Sequence, residues 1–513
     1  MATSSIPRTV TPTQDIPRHE PKPGLVLATI VTCQLMLVLD ATVVNIALPK
    51  IQLSLHFSST ALSWVVNAYI LAFGGLLLLG GRAGDILGRR RMFISGVTLF
   101  TVASLLGGFA PDAGFLLASR ALQGVGAAMA GPSMLALIVN TFEEGAPRIK
   151  ALSIFTAVSS AGGSFGLLLG GALTSWGSWR LVMFVNVPIG LGAVIAAARL
   201  LRESPKQAGR FDLGGALTSI TGMTGLVYAF IHAGASGWGN TTTIGSFGAA
   251  AVLLTSFVLI ETRAEHPVVP LRLLKDGARA RSYLGVLLLP AGMFGMFFFV
   301  TQFLQEVLGM SPIRAGLAFL PMTLALFTVS RFTPMLLPRF GARRLLLVGT
   351  VMLTSGLLWM SRINPDTHYL SGLFAPMLLF GIGAGLAFSP LTVTILSGLR
   401  PQDSGAASGL LQACQQTGGA LGLSVLVSVF GSQYHAPSMR PVPHSAEALA
   451  EAQKWTHAIG ISLLVATVFA FCTIVIAATL KPRAQAPATP SDPSDPSAPT
   501  SPAQRPMPVV VEA

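Results

Sequence analysis

Asp40 stands inside the apolar run QLMLVLDATVVNIALP, residues 34–49. An ionisable side chain at membrane depth costs several kcal/mol and persists only where it has a partner or a task. A second charge in apolar surroundings offers that partner. Arg120 lies in LLASRALQGVGAAMAGP, residues 116–132. Read as a helix, this stretch puts Arg120, Gln123, Gly124, Ala127, Ala128 and Gly131 at spacings of three and four, on one face that is polar at one end and small below it. Counted along a helix axis, Arg120 lies about 10 Å, and Asp40 about 12 Å, from the same side of the membrane. Opposite charges at matching depth can pair, and a proton can compete with the guanidinium for the carboxylate. This makes Asp40 and Arg120 the candidate proton-coupling residues. Two plainer readings stand beside it: Arg120 snorkelling to the surface, and a pair that is purely structural.

A second constellation is GGRAGDILGRRR, residues 80–91. Its glycines, Gly81, Gly84 and Gly88, permit close backbone passage. Asp85 can approach a neighbouring helix N-terminus or pair with an arginine such as Arg89 or Arg90. The expectation is a latch that holds one face of the molecule closed. The plainer reading is a basic loop between two crossings.

Further polar residues are candidates for a substrate cavity. Gln34 and Asn45 lie on a stripe of the first segment about 100° or more from Asp40, and either stripe could face a neighbour or a cavity. Gln123 shares the face of Arg120. Gln302, Gln305 and Glu306 sit near the end of a later segment. The run Phe297-Phe298-Phe299 beside them is expected to face lipid. In AGGSFGLLLGG, residues 161–171, Gly162, Gly166 and Gly170 recur every four residues and form a close-packing face, as does Gly124 in its own helix.

Several chemistries lack their residues. The 8 histidines are scattered with no His-x-x-x-His pair, and the 3 cysteines fall in apolar runs, so no metal centre or disulfide framework is expected. No Gly-x-x-x-x-Gly-Lys-Ser/Thr loop is present, so ATP is not the expected direct energy source. The glycines at 381, 383 and 385 lie in an apolar segment and read as helix packing rather than a dinucleotide loop. No cofactor and no enzymatic activity are expected.

The elements that must position these residues follow from composition. Of 513 residues, 52% are hydrophobic and only 10% are charged, against about 25% charged in soluble domains. Apolar runs about 20 residues long mark an all-α polytopic membrane protein rather than a barrel. Fourteen such segments fall at roughly 25–48, 60–80, 92–110, 113–139, 151–173, 181–201, 213–234, 243–261, 283–304, 313–337, 344–361, 371–397, 404–430 and 457–480. The net charge is +13, but its placement argues for topology and not for nucleic acid. With the N-terminus inside, 25 of the 33 lysines and arginines fall in cytoplasmic loops and termini. Both termini are therefore expected in the cytoplasm.

The chain also repeats itself. GDILGRRRMFISG, residues 84–96, aligns with LPRFGARRLLLVG, residues 337–349, and GVGAAMA from Gly124 aligns with GIGAGLA from Gly381. Parallel halves about a midplane site are a transporter arrangement. The expected organisation is a disordered terminus over 1–24, a six-helix bundle over 25–201, a linker with two extra helices over 202–282, a second bundle over 283–480, and a disordered Pro-rich tail over 481–513.

These motifs together resemble the major facilitator superfamily, and within it the fourteen-helix drug:proton antiporters. LDATVVNIALP is similar to that family's first-helix motif, with Asp40 and Asn45 in place. GGRAGDILGRRR is similar to the loop motif between its second and third helices. Arg120, Gln123, Gly124 and Pro132 match its fourth-helix motif, whose arginine the family associates with proton coupling. WRLVMFVNVPIG, residues 179–190, and FDLGGAL, from Phe211, resemble the sixth-helix entry and the start of the extra pair. One departure stands out: the family's fifth-helix motif carries Gly-Pro, and here Leu167 follows Gly166, while Ser153 replaces an earlier glycine. The resemblance implies proton-driven export of amphipathic small molecules across a bacterial cytoplasmic membrane by a monomer in the lipid bilayer, without nucleic acid. The alternatives are a dedicated exporter of one metabolite, antibiotic or lipid, and, from a different class, a membrane enzyme or sensor.

Overall fold

The computed structural model describes residues 23–204, 212–264, 271–399, 403–434 and 446–480. The expectations of disorder in the two termini, and the 435–445 loop, lie outside these residues. The helices are α1 (Pro23–Leu55), α2 (Trp64–Leu87), α3 (Arg89–Gly108), α4 (Ala113–Thr141), α5 (Ala146–Trp176), α6 (Arg180–Phe184), α7 (Asn186–Leu200), α8 (Leu213–Ser236), α9 (Thr241–Arg263), α10 (Gly277–Gln302), α11 (Pro312–Met360), α12 (Ala375–Leu396), α13 (Ser404–Gln433) and α14 (Ala446–Thr479). Several start at short polar caps. Asp112 Oδ1 accepts from Phe115 N at 2.9 Å, Asp212 from Gly215 N at 2.8 Å, and Asp276 from Ala278 N at 2.9 Å.

Among the described residues 13 helices are long and apolar enough to cross a membrane. One of them, α11, has 49 residues. At 1.5 Å per residue it would run roughly 74 Å, more than twice the hydrocarbon thickness of about 30 Å. Gly341, at φ 76° and ψ 154°, breaks it into two limbs. Counting both limbs gives fourteen crossings. The same break separates α2 from α3, at Gly88 with φ 110° and ψ 133°. These are the glycines that the internal repeat aligns. The repeat extends to the packing: a Cβ on Gly96 of α3 would meet Gly126 O of α4 at 2.6 Å, and one on Gly349 of α11 would meet Gly383 O of α12 at 2.8 Å. All-helical membrane architecture thus follows from both the sequence pattern and the coordinates.

Three segments differ from expectation. The crossing read as 181–201 is divided at Val185 into α6 and α7. Pro188 has no N–H to offer the carbonyl of Phe184, so that turn is weakened. The last helix begins at Ala446 rather than near residue 457, because AEALAEAQ is composed of strong helix formers. The run Phe297-Phe298-Phe299 does not face lipid as a unit. Phe298 and Phe299 are buried, Phe299 lies 5.4 Å from the Phe430 ring of α13, and Phe297 lies 5.4 Å from Phe319 of α11.

The glycine face of α5 packs on α1. A Cβ on Gly162 would lie 3.0 Å from Val38, one on Gly166 would collide with Thr42, and one on Gly170 would lie 2.8 Å from Val43 O. At the end of the molecule where α5 finishes and α11 begins, the first seven helices meet the later ones. Ser175 Oγ accepts from Ile313 N at 3.0 Å, and Gln305 Nε2 donates to Ile46 O at 2.9 Å. Lys50 Nζ donates to Thr174 O at the same end. The intercalated helix α8 packs on both α2 and α13, where Gly75 faces Ile220 and Gly234 faces Ser428.

A candidate site built on a buried ionic cluster

Asp40 and Arg120 meet. Arg120 Nη1 donates to Asp40 Oδ2 at 2.5 Å, and their side chains are 1% and 0% exposed. The snorkelling reading of Arg120 is therefore corrected: the guanidinium turns inward, because a nearby carboxylate satisfies it better than a distant surface. Its Nε donates to Val65 O at 3.0 Å, and the Tyr69 ring of α2 lies 4.6 Å beneath the guanidinium. Gly124, one turn along α4, admits α2 closely: a Cβ there would meet Ala72 at 2.7 Å and the Tyr69 carbonyl more closely still. The small residue places α2 where its backbone and ring can receive the arginine.

Gln123 was expected in a substrate cavity. It is instead fully buried in this cluster. Its Oε1 accepts from Arg120 Nη1 at 2.7 Å, and its Nε2 donates to Asp40 Oδ1 at 2.9 Å and to Ser104 Oγ at 2.6 Å. Asn186, the first residue of α7, adds a third donor: its Nδ2 lies 2.9 Å from Asp40 Oδ1. The carboxylate therefore holds donors from α4 and α7, and Ser104 braces Gln123 from α3. Three donors, one of them the guanidinium, converge on this buried carboxylate, so the members of the cluster depend on one another. Asn186, Ser104 and Tyr69 escaped the reading of the sequence. Asn186 carried a signal, since it is a polar residue within an apolar run, as Asp40 is.

The other candidates are dispersed. Gln34 is half-buried on α1, and Asn45 is buried with its Nδ2 on Ala41 O of its own helix, so Asn45 does not present that donor to a cavity. Gln302 is buried and donates to Phe298 O at 3.3 Å. Gln305 belongs to the interhelix closure described above. Glu306 is exposed.

The basic loop forms a second site. Arg89 Nη2 donates to Asp85 Oδ1 at 2.5 Å. The N-terminus of α3 is capped from far along the chain: Glu203 accepts from Arg90 N at 3.0 Å and from Arg91 N at 3.2 Å. Arg90 Nη2 reaches Ala198 O, near the end of α7, at 2.7 Å. Of the three glycines read as close-passage points, none meets a backbone. Gly81 makes only an ordinary contact with Pro132, Gly84 faces the Arg89 side chain, and Gly88 is required by its positive φ. The close backbone approach belongs to Gly80, against the Ala128 carbonyl of α4.

The comparisons agree with this architecture. Residues 30–423 match the model of the Major Facilitator Superfamily. The chain is 42% identical over 414 residues to the cephamycin export protein CmcT of Amycolatopsis lactamdurans, covering 80% of this chain and 85% of that one. It is 42% identical over 407 residues to the puromycin resistance protein pur8 of Streptomyces alboniger, covering 79% and 81%. Among solved structures, the POT family transporter PepTSo aligns with a TM-score of 0.65 at 14% identity, over 89% of this chain and 96% of that one, which speaks to the fold alone. A family model spanning most of the chain, relatives above 40% identity, and a bundle of long apolar helices with repeated glycine-broken turns lead to one assignment: this multi-pass membrane protein belongs to the Major Facilitator Superfamily.

Proposed function

We propose that the protein exports amphipathic small molecules from the cytoplasm in exchange for protons, working as a monomer in the cytoplasmic membrane with both termini inside. The observation that carries the proton half of this reading is the Asp40–Arg120 pair, a carboxylate and a guanidinium that are both buried and 2.5 Å apart. Removing charges from water is costly, and a transporter that must couple proton binding to helix movement has a use for a pair that a proton can open. The export half is supported by the relatives' names, one an export protein and another a resistance protein. The same names favour a narrower form of the reading, in which the chain exports one dedicated antibiotic-like product.

On this reading the ionised pair ties α1 to α4. Protonation of Asp40 from the outer side weakens the tie and frees the helices to rearrange. Asp85, Arg89, Gly88 and Arg90 act as a cytoplasmic latch, and the Ser175–Ile313 and Gln305–Ile46 contacts close the outer side. The two six-helix groups, 25–201 and 283–480, are the moving bodies, with α8 and α9 set between them.

The test uses inside-out vesicles holding matched amounts of wild-type and Asp40→Asn protein, with substrates found by a resistance screen in an efflux-deficient bacterium, with and without an uncoupler. Substrate-driven proton movement is expected for wild type and not for the variant. A normal proton-to-substrate ratio in Asp40→Asn would make Asp40 structural and send the search for coupling to Glu306.

A further inference from the structure

Asn186 is wholly buried, and its two side-chain atoms are treated differently. Nδ2 donates to Asp40 Oδ1 at 2.9 Å. Oδ1 is buried with no hydrogen-bond partner. A buried acceptor without a donor is costly and rare in a folded protein. The reversed orientation would bring Oδ1 against a carboxylate oxygen, so the observed one is what an ionised Asp40 dictates.

The rest of the cluster cannot turn round. Gln123 uses both ends of its amide, Oε1 on Arg120 and Nε2 on Asp40 and Ser104. Asp40 Oδ2 is held by Arg120. Ser104 is engaged through Gln123. Asn186 is the amide in the cluster whose rotation gives up no bond at its oxygen. A proton arriving at Asp40 makes one oxygen a donor and requires an acceptor. Oδ1 takes the proton, because Oδ2 faces a cation, and the protonated oxygen keeps a lone pair that still accepts from Gln123 Nε2.

We propose that Asn186 reads the protonation state of Asp40. With Asp40 ionised, the amide presents Nδ2 to Oδ1. With Asp40 protonated on Oδ1, the amide turns by about 180° about its last torsion, a soft two-fold rotation, and Asn186 Oδ1 accepts the carboxyl proton. No bond to carbon forms or breaks: one proton joins Asp40, and one hydrogen bond reverses direction. Asn186 opens α7 just after the break at Val185, and α7 packs on α1 and α3. The reversal therefore occurs at a helix start already weakened by Pro188. The charged and titratable groups around Asp40 are Arg120 from α4 and Tyr69 from α2, and Tyr69 in turn neighbours Cys33 of α1. Ser104 from α3 and Asn186 from α7 do not titrate. Asn186 is thus a positioning residue, and this role rests on Asp40 being the proton site.

The experiment is acid-minus-neutral difference infrared spectroscopy on the full chain in lipid nanodiscs, with asparagine carrying a carbon-13 side-chain amide. The expected result is a carboxyl band that vanishes in Asp40→Asn, together with a paired amide carbonyl shift that vanishes in both Asp40→Asn and Asn186→Leu. Asn186→Leu should also slow substrate-driven proton uptake by about tenfold, as expected for one hydrogen bond to a charged partner. Asn186→Ser, whose hydroxyl can donate or accept, should recover most of that flux without the amide bands, and it serves as the folded control if the leucine variant fails to insert. A carboxyl band without an amide shift overturns the switch and leaves Asn186 a fixed donor. An amide shift that survives in Asn186→Leu overturns it equally. Absence of the carboxyl band removes Asp40 as the proton site, and the switch falls with it.

Discussion

A Cβ placed on Gly88 would lie 2.5 Å from Glu203 Oε1. Gly88 ends α2 at φ 110°, and the Glu203 carboxylate then sits against the first N–H groups of α3. Glycine is thus required twice, by the backbone conformation and by the carboxylate packed on it. Gly88→Ala is expected to cost about 1–3 kcal/mol for the sparsely populated positive-φ conformation alone, and more once Glu203 is displaced. Thermal unfolding in detergent should show the loss, and transport should fall with it.

Glu203→Gln keeps the size of the cap and removes its charge. An anion at a helix N-terminus contributes about 0.3–1 kcal/mol at a partly exposed position. Stability should therefore change little. If Glu203 belongs to the latch, transport falls more than stability does. Transport unchanged at matched protein level would reduce Glu203 to a local cap.

Asp85→Asn removes the anion paired with Arg89 without changing side-chain size. The expected outcome is impaired transport with normal insertion, read by substrate uptake in everted vesicles. Full activity would leave the loop as a topological signal.

Arg120→Ala should destabilise more than Asp40→Asn does. The alanine variant strands a buried carboxylate, for which about 3–5 kcal/mol is a reasonable loss. The asparagine variant keeps an acceptor for Arg120. Because the residues touch, the double variant should lose less than the two single losses combined. A thermal-unfolding cycle measures this directly, and additive losses would contradict a coupled pair.

At the opposite end, a Cβ on Gly171 would meet Pro312 O at 2.7 Å and Ile313 Cα at 2.8 Å. Gly171→Val should wedge α5 away from α11. In a chain with Cys33, Cys414 and Cys472 replaced by serine, a cysteine at position 305 should then label faster with an impermeant thiol reagent in intact cells. Unchanged labelling would show that this contact does not close the outer side.

Much of this molecule is legible in its residues because membrane burial forces local statements. Apolar runs must span the bilayer as helices, since unpaired backbone groups are intolerable in lipid. Asp40 and Arg120 could be matched from depth alone, because few charges exist at that level. The glycines at 88 and 341 could be aligned by the repeat, and both break helices at positive φ. Tertiary structure alone decided what depth and periodicity do not encode, namely which face of each helix meets which neighbour. It put Gln123 inside the ionic cluster and not in a cavity, turned Asn45 onto its own helix, and buried Phe298 and Phe299 between helices. It also brought Asn186 to Asp40 across 146 positions and Glu203 to Arg90 across 113. Small residues let particular helices approach, as Gly190 of α7 does where a Cβ would collide with Thr101 of α3, and long-range partners are set by such approaches. A linear reading supplies each side chain's cost of burial, and the packed bundle determines which partner offsets it.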